Sequence, residues 1–163
     1  FFPPNNSIVI GPGSSAIAAY GQSNFTSSSS GTTAQKMSSP KSVQLDPGGV
    51  LFVSDIFNSR IIMYPPTPPS SPFGISAVDV FGQSTFTSSS YGPAPDQLDD
   101  PYLIAYDDKY GCLWVTDQDN NRIVKYCNIT MPSVQNNISS NGVSMQFSGR
   151  SPSVTLTPTS SSP

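Results

Sequence analysis

The sequence predicts an all-β chain in which one structural unit is used twice, and three observations carry that expectation. First, Gly21-Gln22-Ser23-Asn24-Phe25-Thr26-Ser27 returns about 61 residues later as Gly82-Gln83-Ser84-Thr85-Phe86-Thr87-Ser88. Val53-Ser54-Asp55-Ile56-Phe57-Asn58-Ser59-Arg60-Ile61 likewise returns as Val115-Thr116-Asp117-Gln118-Asp119-Asn120-Asn121-Arg122-Ile123. Second, the apolar runs are short, rich in β-branched and aromatic residues, and bounded by Gly, Pro, Asp and Asn. Third, no long window has a 3.6-residue period, and Pro or Gly interrupts every helical candidate.

In the second repeat, Tyr102–Tyr106 runs into a polar turn at Asp107–Gly111. Cys112–Thr116 follows, then a turn over Asp117–Asn121, then Ile123–Cys127. This reads as three antiparallel strands. The first repeat matches: Ser42–Leu45, a turn at Asp46–Gly49, Val50–Val53, a turn at Asp55–Ser59, and Ile61–Tyr64. Ala77–Phe81 is a fourth strand that leads into the Gly82-Gln83 element. Phe1-Phe2-Pro3-Pro4 aligns with Met63-Tyr64-Pro65-Pro66, and Ile17–Gly21 aligns with Val78–Gly82. The chain therefore opens with a fourth strand for a preceding or adjacent unit. Val143–Phe147 is the candidate fourth strand of the second repeat. The expected organisation is residues 1–26 as that N-terminal segment, 27–88 as the first unit, 89–150 as the second, and 151–163 as a Ser/Thr/Pro-rich tail.

Composition narrows the function. Only 10% of residues are charged while Ser and Thr fill about a quarter of the chain, so the surface is uncharged and polar rather than salt-bridged. There is no His, and the ten acidic residues are all Asp. A His general base, a His-ligated zinc or a Ser-His-Asp triad is thus excluded within these residues. No catalytic residue, resident metal or cofactor is expected. A net charge of −3 with seven basic residues offers no cationic face for nucleic acid. No apolar run approaches the roughly 20 residues that span a bilayer. The absence of an initiator Met and of a signal peptide predicts a processed chain or a segment of a longer one.

Sequons stand at Asn5, Asn24, Asn128 and Asn137. Together with the Pro/Ser tracts and two cysteines, they point to a secreted, extracellular glycoprotein. The insert at residues 65–72 favours polyproline II, because Pro fixes φ and removes a ladder donor. Its residues Pro65, Pro66, Thr67, Pro68, Pro69, Ser70 and Ser71 are candidates for O-glycosylation or proline hydroxylation. Cys112 and Cys127 flank the second hairpin. If Trp114 faces Lys125, Cys112 faces Cys127, at a separation suited to a disulfide; the alternative is two buried thiols.

A Gly-Gln-Ser-x-Phe element, a Pro-led strand and then Val-[Ser/Thr]-Asp-x-x-Asn-x-Arg-Ile resemble the NHL repeat. That resemblance covers about Ile17–Cys127 and implies four-stranded antiparallel blades of β-propeller type. Ser59 departs from the family's usual Asn, and the Ser- and Pro-rich loops make the units longer than usual. The residues that recur, Asp55, Asn58, Arg60 and Asp117, Asn120, Arg122, read as structural. The carboxylates end a strand, where they can accept backbone N–H bonds or pair with Arg60 and Arg122. Asn58 and Asn120 suit positions needing positive φ. Asp117, Asp119 and Asn120 are the competing calcium candidates, short of the six to eight oxygens Ca²⁺ takes. The family's lyases need metal-binding His, and its RNA-binding members need a basic face; both are missing here.

Propellers typically close with four to eight blades. Two units and a spare strand imply stacking on copies of the chain or on adjacent repeats of a longer one, in a ring or an open filament. The expected function is a non-enzymatic structural module of an extracellular assembly, a fibril or wall component. The Pro/Ser tracts also resemble hydroxyproline-rich surface glycoproteins. The alternative is a ligand- or protein-binding NHL domain of a larger cell-surface protein.

Overall fold

A computed structural model of the chain describes residues 11–66 and 72–130, together with the backbone of strands 134–139 and 142–147. The sequon at Asn5, the tract at Thr67, Pro68, Pro69, Ser70 and Ser71, and the 151–163 tail lie outside the described residues. The chain is all-β: the only helical element among the described residues is a single 3-10 turn at Ile56–Asn58.

Strands β1 (Pro40–Leu45), β2 (Leu51–Asp55), β3 (Arg60–Tyr64) and β4 (Asp79–Phe81) form a four-stranded antiparallel sheet in sequence order. Strands β5 (Pro101–Asp107), β6 (Cys112–Asp117) and β7 (Arg122–Tyr126) form a three-stranded one. The two repeat each other in register as well as in order. Asp55 pairs with Arg60 and Asp117 with Arg122 at the closed ends of the hairpins. Both first strands carry a register shift at one place, Pro40/Val43 and Pro101/Ile104. Pro has no N–H for the ladder, so an irregularity beside it interrupts the pairing. The residue before each Pro, Ser39 or Asp100, has positive φ.

One candidate fourth strand departs from expectation, while the other, expected to serve a preceding or adjacent unit, stays outside any ladder among the described residues. Val143–Phe147 lies in β9 (Gly142–Phe147), which pairs with β8 (Val134–Ser139) in a separate hairpin and not with β7. Ile17–Tyr20 forms no ladder. Instead the Ala19 N–H donates to the Pro72 carbonyl at 2.9 Å and the Gly74 N–H to the Gln22 carbonyl at 3.1 Å. An isolated strand has nothing to pair with, and no three-stranded sheet precedes this one among the described residues.

The sheets pack face to face. Phe52, Ile61, Met63 and Phe81 of the first meet Ile104, Leu113 and Val115 of the second in one cluster. The Phe52 and Tyr106 rings stack at 5.8 Å, and Phe81 meets Tyr126 at 5.2 Å. Ser54 Oγ donates to the Tyr102 carbonyl at 3.0 Å, so a polar side chain in this seam has a partner. The other face of the first sheet, with Val53, Ile62 and Tyr64, lies under Tyr20, Met37, Ile75, Ala77 and Phe86. The first sheet is therefore covered on both sides, and every residue of β3 is buried. Fully burying one such side chain contributes about 1.5–3 kcal/mol. Strand β7 instead alternates between half-buried and exposed residues, as a sheet covered on one face must.

Candidate functional site

Each hairpin end holds the same cluster. In the first, Asp55 Oδ1 accepts the Ser38 N–H at 2.6 Å. Its Oδ2 accepts from Asn58 Nδ2 at 2.8 Å and Arg60 Nε at 2.8 Å. Arg60 Nη2 donates to the carbonyls of Thr33, at 3.0 Å, and Lys36, at 2.9 Å. Asn58 Nδ2 also reaches the Gly31 carbonyl at 3.0 Å. The second hairpin repeats this. Asp117 Oδ1 takes the Asp99 N–H at 2.7 Å, and Oδ2 takes Asn120 Nδ2 at 3.0 Å and Arg122 Nε at 2.6 Å. Arg122 Nη2 holds the carbonyls of Ala94, at 3.2 Å, and Gln97, at 3.0 Å, and Asn120 Nδ2 that of Gly92, at 2.9 Å.

The cluster is a clamp. A carboxylate orients an Asn and an Arg, and these gather the carbonyls of the irregular loop that leads into the first strand. Charge-assisted bonds are the strong ones in such a network, and the planar guanidinium serves several carbonyls at once. Sequence reasoning identified the six residues but not the loop carbonyls, since a carbonyl acceptor leaves no mark in a sequence. It also placed positive φ at Asn58 and Asn120. The left-handed residues are Ser59, φ 49°, and Asn121, φ 51°. The Asn before each keeps its side chain turned inward on the carboxylate.

The Gly-Gln-Ser-x-Phe element is the second part of the site. Both glycines have positive φ, 78° at Gly21 and 80° at Gly82. A side chain at Gly82 would also run into Leu98, so only Gly fits there. Gln83 is buried and donates to the carbonyls of Ser59, at 2.9 Å, and Ser90. The Arg60 Nη1 donates to the Phe86 carbonyl. The element thus seats on the preceding clamp from both sides. Gln22 reproduces only the local half, donating to the Ser29 carbonyl at 3.1 Å.

No protein-family model and no curated protein matches this chain. What the site does chemically follows from its geometry alone: the carboxylate oxygens of Asp55 and Asp117 are committed to donors and position loops. Asp119 lies beside Asp99 and Asp100, and burial together with its negative charge raises both of their carboxyl pKa values. Among the described residues no cluster of acidic or thiol ligands is placed to hold a metal ion, and Asp117 has no oxygen free of a donor to offer calcium. Nor is any helix long and apolar enough to cross a membrane.

Cys112 and Cys127 are joined across the second hairpin, with Cα atoms 4.2 Å apart. Of the sequons, Asn24 and Asn128 are exposed. Asn24 Oδ1 accepts from the backbone N–H groups of Thr26 and Ser27, at 2.9 and 2.8 Å. Asn137 lies within β8. Pro65 is half-buried and Pro66 exposed.

Tyr64 gives one prediction about the packing beneath the clamp. Its ring meets Tyr20 edge-on at 5.0 Å, and its buried hydroxyl has no hydrogen-bond partner among the described residues. Burial, and then the nearby Asp55, push its pKa well above 10.0. A phenol whose folded pKa is raised stabilises the fold below its ordinary pKa, and that stability is lost as pH climbs towards the folded value. Tyr64→Phe removes an unsatisfied group, so it should leave stability unchanged or raise it by about 1 kcal/mol. It should also extend tolerance to alkali above pH 10, read by thermal melts across a pH series. A loss of stability at neutral pH would show that the hydroxyl has a partner.

Proposed function

We propose that this chain is a non-enzymatic structural module of a secreted, glycosylated extracellular assembly. It builds a homopolymer of NHL-like, β-propeller-type blades by sheet stacking and strand exchange. The observation that carries this reading is the unequal covering of two equivalent sheets. The first is packed on both faces. The second leaves Trp114 and Ile123 exposed on the face whose counterparts in the first sheet, Phe52 and Ile61, are core. A repeat that buries this face in one copy and exposes it in the next is a stacking unit. Lys125 lies over the Trp114 ring at 4.6 Å and partly shields it. The cross-strand disulfide suits an oxidising compartment, and exposed Asn24 and Asn128 suit glycan attachment.

Electron microscopy of native material tests the reading: regular polymers with a constant axial repeat are expected, and discrete particles at every concentration would overturn it. Glycopeptide mass spectrometry should find sugar on Asn24 and Asn128, and bare sequons would count against the secreted assignment.

A further inference from the structure

We propose that residues Ile17–Phe25 of one copy dock as the fourth strand and cap of the second sheet of another copy, along β7 and onto the Asp117–Arg122 clamp. The chain already contains this contact once, internally. Strand β4 lies beside β3 with Ile61 opposite Phe81, Ile62 opposite Val80 and Met63 opposite Asp79. The Val78 N–H donates to the Met63 carbonyl at 2.7 Å. The cap follows: Gln83 to the Ser59 carbonyl and Arg60 to the Phe86 carbonyl.

Both halves of the same contact are present a second time and do not meet each other; the donor half is held by Ala19 N–H to the Pro72 carbonyl and Gly74 N–H to the Gln22 carbonyl, and docking exchanges the first of these for β7. The donor half is Ile17–Phe25, which matches Val78–Phe86 residue for residue. Ile17 is 83% exposed and Phe25 50%, whereas Val78 and Phe86 pack against the cores. The acceptor half is Arg122–Lys125 of β7, an edge strand of its sheet among the described residues, with β8 and β9 paired to one another instead. Arg122 remains 32% exposed where Arg60 is sealed, and Ile123 is 67% exposed where Ile61 is core. An edge with open donors and acceptors is a site for strand addition.

The repeat then dictates the register. Tyr20 faces Ile123, Ala19 faces Val124 and Ala18 faces Lys125, with the Ile17 N–H donating to the Lys125 carbonyl. Gln22 donates to the Asn121 carbonyl, and Arg122 Nη1, which holds the Pro93 carbonyl at 2.6 Å, turns its second N–H to that of Phe25. The contact is heterologous: each copy donates at one end and accepts at the other, so it propagates. A glycan on Asn24 is compatible with it, because Thr85 at the matching position of the docked element is exposed.

This inference rests on the self-assembling reading, and the test separates the two. Two variants that each add one cysteine to the native Cys112–Cys127 pair, Ala18→Cys and Lys125→Cys, are mixed and oxidised, with sedimentation velocity run on the wild-type chain in parallel. The mixed disulfide should exceed either homodimer by about tenfold, because only directly opposed residues come within disulfide reach. Association without a preferred mixed disulfide overturns this docking and leaves the assembly standing. A chain that stays monomeric, with no mixed product, overturns both. An intramolecular link in the Ala18→Cys/Lys125→Cys double variant, in place of the intermolecular one, also overturns the docking between copies.

Discussion

Asp55→Ala should cost about 3–5 kcal/mol, while Asp117→Ala costs clearly less. The two aspartates are repeat equivalents with matching partners, so their difference isolates burial. Asp55 and Arg60 both have 0% side-chain exposure. Truncating the carboxylate leaves a guanidinium charge in the interior, and it also orphans the Ser38 N–H and the Asn58 amide. A whole domain is stable by only about 5–15 kcal/mol, so Asp55→Ala leaves a chain that is largely or wholly unfolded at modest temperature. Arg122 keeps 32% exposure, and water can take up part of what Asp117 releases. Replacing both members of the first pair, Asp55→Leu with Arg60→Met, should recover part of the loss, since the isolated charge and not the missing attraction dominates the cost. Urea titrations followed by far-UV circular dichroism measure all three variants. Equal losses for Asp55→Ala and Asp117→Ala would show that burial of the pair is not what matters.

The parts of this site that the sequence disclosed are those written in side chains. The Asp, Asn and Arg of each clamp recur at one spacing, and so does the Gln of each cap. The depth of the strands was only partly legible. Arg60-Ile61-Ile62-Met63-Tyr64 is continuously apolar after its arginine, as a strand covered on both faces requires, but Arg122-Ile123-Val124-Lys125-Tyr126 breaks its apolar run only at Lys125, and its alternating exposure leaves the apolar Ile123 outside. What the sequence did not disclose belongs to the backbone. The carbonyls of Thr33, Lys36, Ala94 and Gln97 are gathered by arginine whatever side chains they carry. The left-handed turn residue follows the recurring Asn in each hairpin, because that amide is spent on the carboxylate. The bulges beside Pro40 and Pro101 depend on how the loop before each strand is tied down. Ile17–Tyr20 stands at the place of a strand that forms, yet it joins no ladder among the described residues and is held instead by the Pro72 carbonyl. A strand is a property of two segments, and its own side chains do not name the second.

Breaking the Cys112–Cys127 bond should cost about 3 kcal/mol in the chain-entropy account of a loop this short, and should act on the second sheet first. The cysteines are 15 residues apart and tie the open ends of β6 and β7 together. In the first repeat Val50 and Pro65 occupy these places, and no bridge is needed: β3 has β4 along its outer edge and cover on both faces. Strand β7 has neither among the described residues, so its hairpin relies on β6, the clamp at one end and the disulfide at the other. The double variant Cys112→Ala/Cys127→Ala avoids leaving a lone thiol in the buried position of Cys112. It should lower the unfolding midpoint and speed amide exchange along Arg122–Tyr126, while Arg60–Tyr64 keeps its protection. Because β7 is also the proposed docking edge, the same variant should weaken association between copies before it unfolds them, which sedimentation at a temperature below the first transition can resolve. Uniform loss of protection across both sheets would mean that they open as one unit and that the bridge does not serve the edge in particular.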